Sequence, residues 1–325
     1  MDLCPKLFLA PMEGLGDRTF RKAMASVGGF DEAVMDFLSV PKNAHVQSLA
    51  KRYDPFELSP IPMACQLMGS EPELMGKMAY EVALKGALRV DLNCGCPSNT
   101  VTGNGAGSSL LKNPELLHKI ASTMVQSVSI PVTLKMRSGY EDTSLFKENL
   151  FAAASSGIKF LTIHPRTKMD GYKGSANWDL IAQAKELLDI PICGNGDILN
   201  VEDALRMLKH TKCDYLMIGR GAVINPFIFR EIKAHFQNES FFATWDMLLK
   251  YLQVFISEMP QDSPSRGKIN KMKQLFSFLF RSKNFSEEER KKMLTFTPQT
   301  LTSFLEFSVP LLKAGFERKE ALASL

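Results

Sequence analysis

The stretch Asp91-Leu92-Asn93-Cys94-Gly95-Cys96-Pro97-Ser98 carries two thiols one residue apart, just after a short apolar run. A thiol of ordinary pKa, about 8.5, is still protonated at neutral pH and can act as a general acid. It can also bind a metal or close a disulfide. The six cysteines, at 4, 65, 94, 96, 193 and 213, are scattered, and four lie within or beside apolar runs. That pattern fits free buried thiols better than a disulfide framework. Zinc wants Cys or His pairs at wider spacing, with a second pair elsewhere. Cys94 and Cys96 are too close and lack a partner pair, so no metal site is expected.

The elements that must position these thiols show in the apolar pattern. Eight short runs recur up to about residue 236: 7–10, 33–37, 62–67, 89–93, 131–136, 160–164, 190–193 and 214–218. They are rich in Val, Ile and Leu without strict alternation, as strands buried on both faces of a parallel sheet are. Helical segments alternate with them over 71–85, 114–128, 145–156, 178–188 and 201–208. Asn113 before Pro114 and Asn200 before Val201 are N-cap signals. Eight βα units predict a (β/α)8 TIM barrel, with a doubly wound open sheet as the alternative.

After residue 240 no strand-like run remains. Apolar spacing predicts helices over 241–255, 269–281, 286–294 and 298–307, a small C-terminal helical domain. The division is residues 1–238 for a catalytic barrel and 239–325 for the helices. The net charge is +4, and all of the excess lies beyond residue 239. Arg266, Lys268, Lys271, Lys273, Arg281 and Lys283 fall within 263–285, which holds no acidic residue. A basic run by itself reads as a solvated helix face; one free of acids on an otherwise neutral protein strengthens the case for a polyanion partner. No run of about 20 apolar residues exists and the N-terminus lacks a basic leader, so a cytoplasmic protein without a membrane span is expected.

In a barrel, chemistry collects at the C-terminal strand ends. Here these carry Pro11-Met12-Glu13, Asp36, Gln66, Asn93 with Cys96, Lys135 with Arg137, His164, Gly194-Asn195-Gly196-Asp197 and Gly219-Arg220-Gly221. The glycines of the last two loops let the backbone approach a ligand, and a helix start near Asn225-Pro226 adds N–H donors for a phosphate. Arg220 adds a charge-assisted contact. Lys135 needs an electron-rich partner. That partner is either the edge of a flavin, anionic when reduced, or a carbonyl for a Schiff base. The Gln66 amide suits a flavin ring edge.

The chain resembles the tRNA-dihydrouridine synthases, most of all the bacterial C-type branch. The shared motifs are APMEG at 10–14 with Asp17, QLMG at 66–69, DLNCGCPS at 91–98 with GNGAGSSLL at 103–111, LKMR at 134–137, IHPRT at 163–167, GNGDI at 194–198 and IGRGA at 218–222. In the tail, Asn270-Lys271-Met272-Lys273-Gln274 and Ser277-Phe278-Leu279 match as well. The resemblance implies an FMN enzyme that reduces a D-loop uridine of tRNA to 5,6-dihydrouridine with NADPH or NADH. Pro11, Met12, Glu13, Gln66, Lys135, His164, Asn195, Gly196, Asp197, Gly219 and Arg220 would hold FMN. Hydride would pass to C6 of the uracil and a proton from Cys96 to C5. Asp36, Asn93, Arg137, Lys271, Lys273 and Phe278 would meet the tRNA, and position 16 would be the target. No obligate protein partner is implied. The chain departs from the branch at Asp36 and Ser39, at Pro165 and at Leu275. The rival readings are an FMN barrel acting on a small pyrimidine or enone, like a dihydroorotate dehydrogenase, and a non-catalytic RNA-binding protein.

Overall fold

The computed structural model describes residues 4–98, 102–103, 105–281 and 285–323. Lys283 of the basic run and Asn104 of the glycine-rich stretch lie outside them.

Among the described residues, nine strands form one parallel sheet: β1 (Lys6–Leu9), β2 (Glu32–Val34), β3 (Leu38–Val40), β4 (Met63–Gly69), β5 (Val90–Cys94), β6 (Val132–Gly139), β7 (Leu161–Thr167), β8 (Ile192–Asn195) and β9 (Tyr215–Ile218). β1 pairs with both β2 and β9, and β2 with β4, so eight strands close into the expected barrel. β3 is the addition. It lies beside the end of β4, Leu38 opposite Leu67 and Val40 opposite Gly69. Three residues in what looked like a loop give no periodicity to detect.

The strands are buried on both faces, as every residue of β4 illustrates. Outside them pack α1 (Arg18–Val27), α2 (Val46–Ala50), α3 (Pro72–Leu84), α4 (Pro114–Ser127), α5 (Phe146–Ser155), α6 (Asp179–Leu187), α7 (Val201–Thr211), α8 (Arg220–Ile224) and α9 (Ile228–Gln237). Both expected N-caps form: Asn113 Oδ1 accepts from the Leu116 N–H at 3.0 Å, and Asn200 Oδ1 from the Asp203 N–H at 2.8 Å. α4 buries Leu117, Ile120, Ala121 and Met124, the i, i+3, i+4, i+7 face of an amphipathic helix. A second cluster containing Phe8, Val34, Ala64, Phe160, Cys193 and Met217 packs separately from that main core. The Arg89 guanidinium stacks over both phenyl rings of this cluster, 5.5 and 5.0 Å from their centres.

The tail is helical, as expected: α10 (Trp245–Ser257), α11 (Ser265–Leu279), α12 (Glu287–Thr295) and α13 (Leu301–Ala323). α13 runs well past the predicted end at 307, through Pro310. Proline removes an N–H and ordinarily marks a break. Here Phe304, Ser308, Leu312 and Phe316, four apart on one face, are all buried, and their packing carries the helix across it. The tail grips the barrel at the first loop and the start of α1. Thr19 donates to the Glu258 carbonyl at 3.0 Å, and Gln274 to the Gly14 carbonyl at 3.2 Å. Among the described residues no helix is long and apolar enough to cross a membrane, and no cluster of three potential metal ligands occurs.

Candidate active site

A cavity of about 580 Å³ opens at the C-terminal strand ends, within the size range of small-molecule and cofactor pockets. Every residue expected to hold a cofactor lines it, from Pro11 round to Arg220. Cys96, Asn93, Arg137 and Phe278 line it too. Gln274, Phe278 and Arg281 reach it from the tail, so barrel and tail share the cavity.

Strand register brings the polar groups together in neighbouring pairs. Gln66 lies opposite Asp91, Asn93 opposite Lys135, and Arg137 opposite His164. Asn93 Oδ1 accepts from the backbone N–H groups of Gly95 and Cys96, both at 2.9 Å, and so shapes the turn that carries the thiol. Cys96 packs against Met68, Ala106 and Phe37, and its Sγ donates to Glu13 Oε2 at 3.5 Å. Burial, reinforced by the Glu13 carboxylate, pushes this thiol up to about 11. Cys94 is fully buried away from the cavity, and burial raises its thiol as well. Arg137 donates to the carbonyls of Gly95, Thr167 and Gly171 at 2.9, 2.8 and 3.1 Å, pinning the same turn.

On the other wall, Lys135 Nζ donates to Asn195 Oδ1 at 3.0 Å, and Asn195 is itself fixed by its 2.8 Å bond to the Met217 carbonyl. Burial, then the charge of Arg137, lowers Lys135 to about 8. Burial and the cations of Lys135, Arg137, Arg166 and Arg220 hold His164 well below the usual imidazole range, so it is neutral. Gly196 has φ 116°, and a Cβ there would lie 2.9 Å from the His164 ring. Glycine alone leaves that corner open.

Asp197 was expected to meet a phosphate, but its carboxylate does another job. It accepts from Arg166 at 2.6 and 3.1 Å, from Arg220 at 2.9 Å and from the Ala176 N–H at 2.8 Å. Burial alone would raise its pKa, but these donors and charges outweigh it and hold the carboxyl below its ordinary value. An acceptor-only carboxylate offers a phosphate nothing except through its backbone; its side chain aims the two arginines. Asp197→Ala is expected to lower stability by about 2 kcal/mol in a thermal melt without ligand, because it strands the buried Arg166.

The dihydrouridine synthase family matches residues 8–303 of the chain. The tRNA-dihydrouridine(16) synthase of Shewanella oneidensis is 38% identical over 288 residues, 85% of this chain and 89% of that protein. The synthase of the same name from Ralstonia nicotianae is 37% identical over 262 residues, 78% of this chain and 80% of its own. The chain belongs to the dihydrouridine synthase family. Among solved structures, 6-hydroxypseudooxynicotine amine oxidase from Pseudomonas geniculata N1 superposes with a TM-score of 0.55 at 12% identity, over 72% of this chain. Histamine dehydrogenase from Rhizobium sp. 4-9 gives 0.53 at 10% identity, over 73%. The match spans about half the length of each of those chains, and the likeness is one of fold.

Three residues expected to meet tRNA have partners within the protein instead. Asp36 turns back to accept from the Met12 N–H at 3.1 Å and sits 3.9 Å from Arg21. Burial raises it to about 6. It props the loop that bears Met12 and Glu13. Lys271 is paired with Asp17, the cap of α1, and Lys273 donates to the carbonyls of Leu294 and Phe296 at the end of α12. Both lysines are half-buried fasteners of the tail, not solvated cations. The expected helix start near Asn225 also lies off the cavity, where α8 follows β9 instead. Sequence reading missed Tyr172, which lines the cavity with the guanidinium of Arg220 4.4 Å from its ring centre, and the buried Arg166. Arg166 belongs to the IHPRT motif, whereas Tyr172 sits in an irregular loop with no periodicity to mark it.

Proposed function

We propose that the chain is an FMN-dependent tRNA-dihydrouridine synthase that uses NADPH or NADH and works in the cytoplasm. The observation that carries this reading is one cavity that brings a thiol, packed among apolar side chains and bonded to Glu13, to face a cationic, donor-rich wall. The cavity fits FMN chemically: Lys135 offers an ammonium to the ring edge, Gln66 an amide, and Arg220 a guanidinium beside the Cβ-free loops of Gly196 and Gly219. When bound, the flavin supplies the hydride for C6 of the target uracil. Cys96 supplies the proton to C5. Asn93 and Arg137 orient the base, which must leave its stack to enter the cavity. Phe278 and Tyr172 offer it aromatic walls.

In this reading residues 1–238 do the chemistry and 239–325 hold tRNA. The relatives' names support position 16 as the target. The backbone phosphates then meet the exposed cations of the tail, Arg266, Arg281, Lys291 and Lys292. Replacing Arg266 and Arg281 by alanine is expected to reduce the salt slope of tRNA binding by about 1 for each phosphate that is no longer neutralised. Replacing Lys271 and Lys273 is expected to lower the melting temperature instead, with the slope kept. Salt titrations of the two double variants check both statements.

Mass spectrometry of nuclease-digested tRNA tests the activity. Unmodified tRNA incubated with the protein, FMN and NADPH should gain two hydrogens at one D-loop uridine. No gain, with the flavin still reduced by NADPH, would move the substrate to a small pyrimidine or enone.

A further inference from the structure

A chain of polar groups runs from beneath the cavity up to Gln66 and Asn93 in its lining, and its direction is fixed at both ends. Arg89 can only donate, and its Nη1 donates to Thr133 Oγ1. The hydroxyl must then pass its own proton on, to Asp91 Oδ1 at 2.5 Å. Asp91 is completely buried, and its carboxylate only accepts. So Gln66 must turn its NH2 group to Asp91 Oδ2, at 2.7 Å, leaving Oε1 to accept from Asn93 Nδ2 at 2.8 Å. Asn93 then has its oxygen left for the two backbone N–H groups of the Cys96 turn. Those N–H groups can only donate, so the far end demands the same order. Flipping both amides would set oxygen against carboxylate at one end and N–H against N–H at the other.

We propose that Asp91 is a positioning residue that sets the hydrogen-bond polarity of the site: it compels Gln66 and Asn93 to present N–H donors to the cavity and ties the Cys96 turn in place. This rests on the reading that Asn93 faces the target base. Each amide keeps one unspent N–H. Arg137 on the same wall is a donor as well, so beside Asn93 a ligand meets donors, with the Glu13 carboxylate already taken by the thiol. A ring carbonyl is accepted there, and a ring amino group is opposed by its own kind. Uracil and cytosine differ by that exchange at C4. Asp91 thereby determines base choice from below the cavity, without touching the base.

The test uses the full-length FMN-loaded protein and needs no tRNA turnover. Cys96 alkylation by iodoacetamide is followed by peptide mass spectrometry in the parent, Asp91→Asn, Asn93→Ala and the double variant. Each single change is expected to alter the Cys96 rate about fivefold, and the double variant to match Asn93→Ala, since both act through one link. Cys193 and Cys213, buried elsewhere in the barrel, should stay protected. Parental Cys96 rates, multiplicative effects in the double variant, or exposure of Cys193 and Cys213 alongside Cys96 would overturn the proposal. Gln66→Leu, which cuts the chain above Asp91 and keeps the Arg89–Thr133–Asp91 cluster, should reproduce the Cys96 effect and serves if Asp91→Asn does not fold. With tRNA, kcat should fall more than KM rises. An intact alkylation result with no dihydrouridine formed would sink the proposed function and leave the Asp91 chain standing.

Discussion

Cys96→Ala is expected to cut dihydrouridine formation about 10²–10⁴-fold, the usual worth of a positioned general acid, with flavin content unchanged. The sulfur sits in an apolar niche of Met68, Ala106 and Phe37, and its proton is held toward Glu13. Burial is the larger reason, and the Glu13 carboxylate the smaller, that the thiol stays protonated up to about 11. At neutral pH the proposed acid is therefore loaded, and its loss should appear only on the alkaline limb. The sign follows from the shift: a raised thiol pKa keeps the donor form as pH rises and fails on passing that value. Cys94→Ala is the control. That thiol is sealed inside β5's packing, and its removal is expected to leave turnover within about threefold at a modest cost in stability. Digest mass spectrometry of both variants decides. Full activity in Cys96→Ala would remove it as the acid, and loss in Cys94→Ala alone would exchange the roles.

How far the sequence could be read depended on whether a signal was local. The barrel was legible because eight buried strands at regular spacing are a local pattern, and Asn113 and Asn200 could be named as caps from their neighbours alone. The cavity wall was legible because strand ends share one rim of a barrel, so Gln66, Lys135 and His164 meet by topology. Burial partners were not legible. Lys271 and Lys273 looked like part of a basic tRNA-binding face until Asp17 and the α12 carbonyls, 254 and 21–23 residues away in sequence, came beside them. Asp197 looked like a phosphate ligand because its loop is glycine-rich, yet its carboxylate faces two arginines from other strand ends. The last helix outruns its expected end because Pro310 is locally a stop signal, whereas the four-residue spacing of Phe304, Ser308, Leu312 and Phe316 carries the contrary one.

Lys135→Met should weaken flavin binding about tenfold or more while making the ligand-free protein more stable, and the opposite signs are the point. An ammonium on the cavity wall costs desolvation that Asn195 alone offsets poorly. Its lowered pKa, about 8, records that cost. Methionine keeps the stem's packing and removes the charge, so the melting temperature of the apo protein should rise. The same charge is what the ring edge pairs with, electron-rich when oxidised and anionic when reduced, so affinity should fall. In the parent, affinity should already decline as pH climbs through about 8 and Lys135 gives up its proton. In the variant that decline should vanish, leaving the curve flat at a weaker level. Flavin fluorescence titrations over about two pH units around this value, with melts of both apo proteins, test it. Weaker binding joined to a lower melting temperature would mean that the methionine disturbs packing. Unchanged affinity at every pH would take Lys135 out of the flavin site, and the cationic wall would then face some other anion.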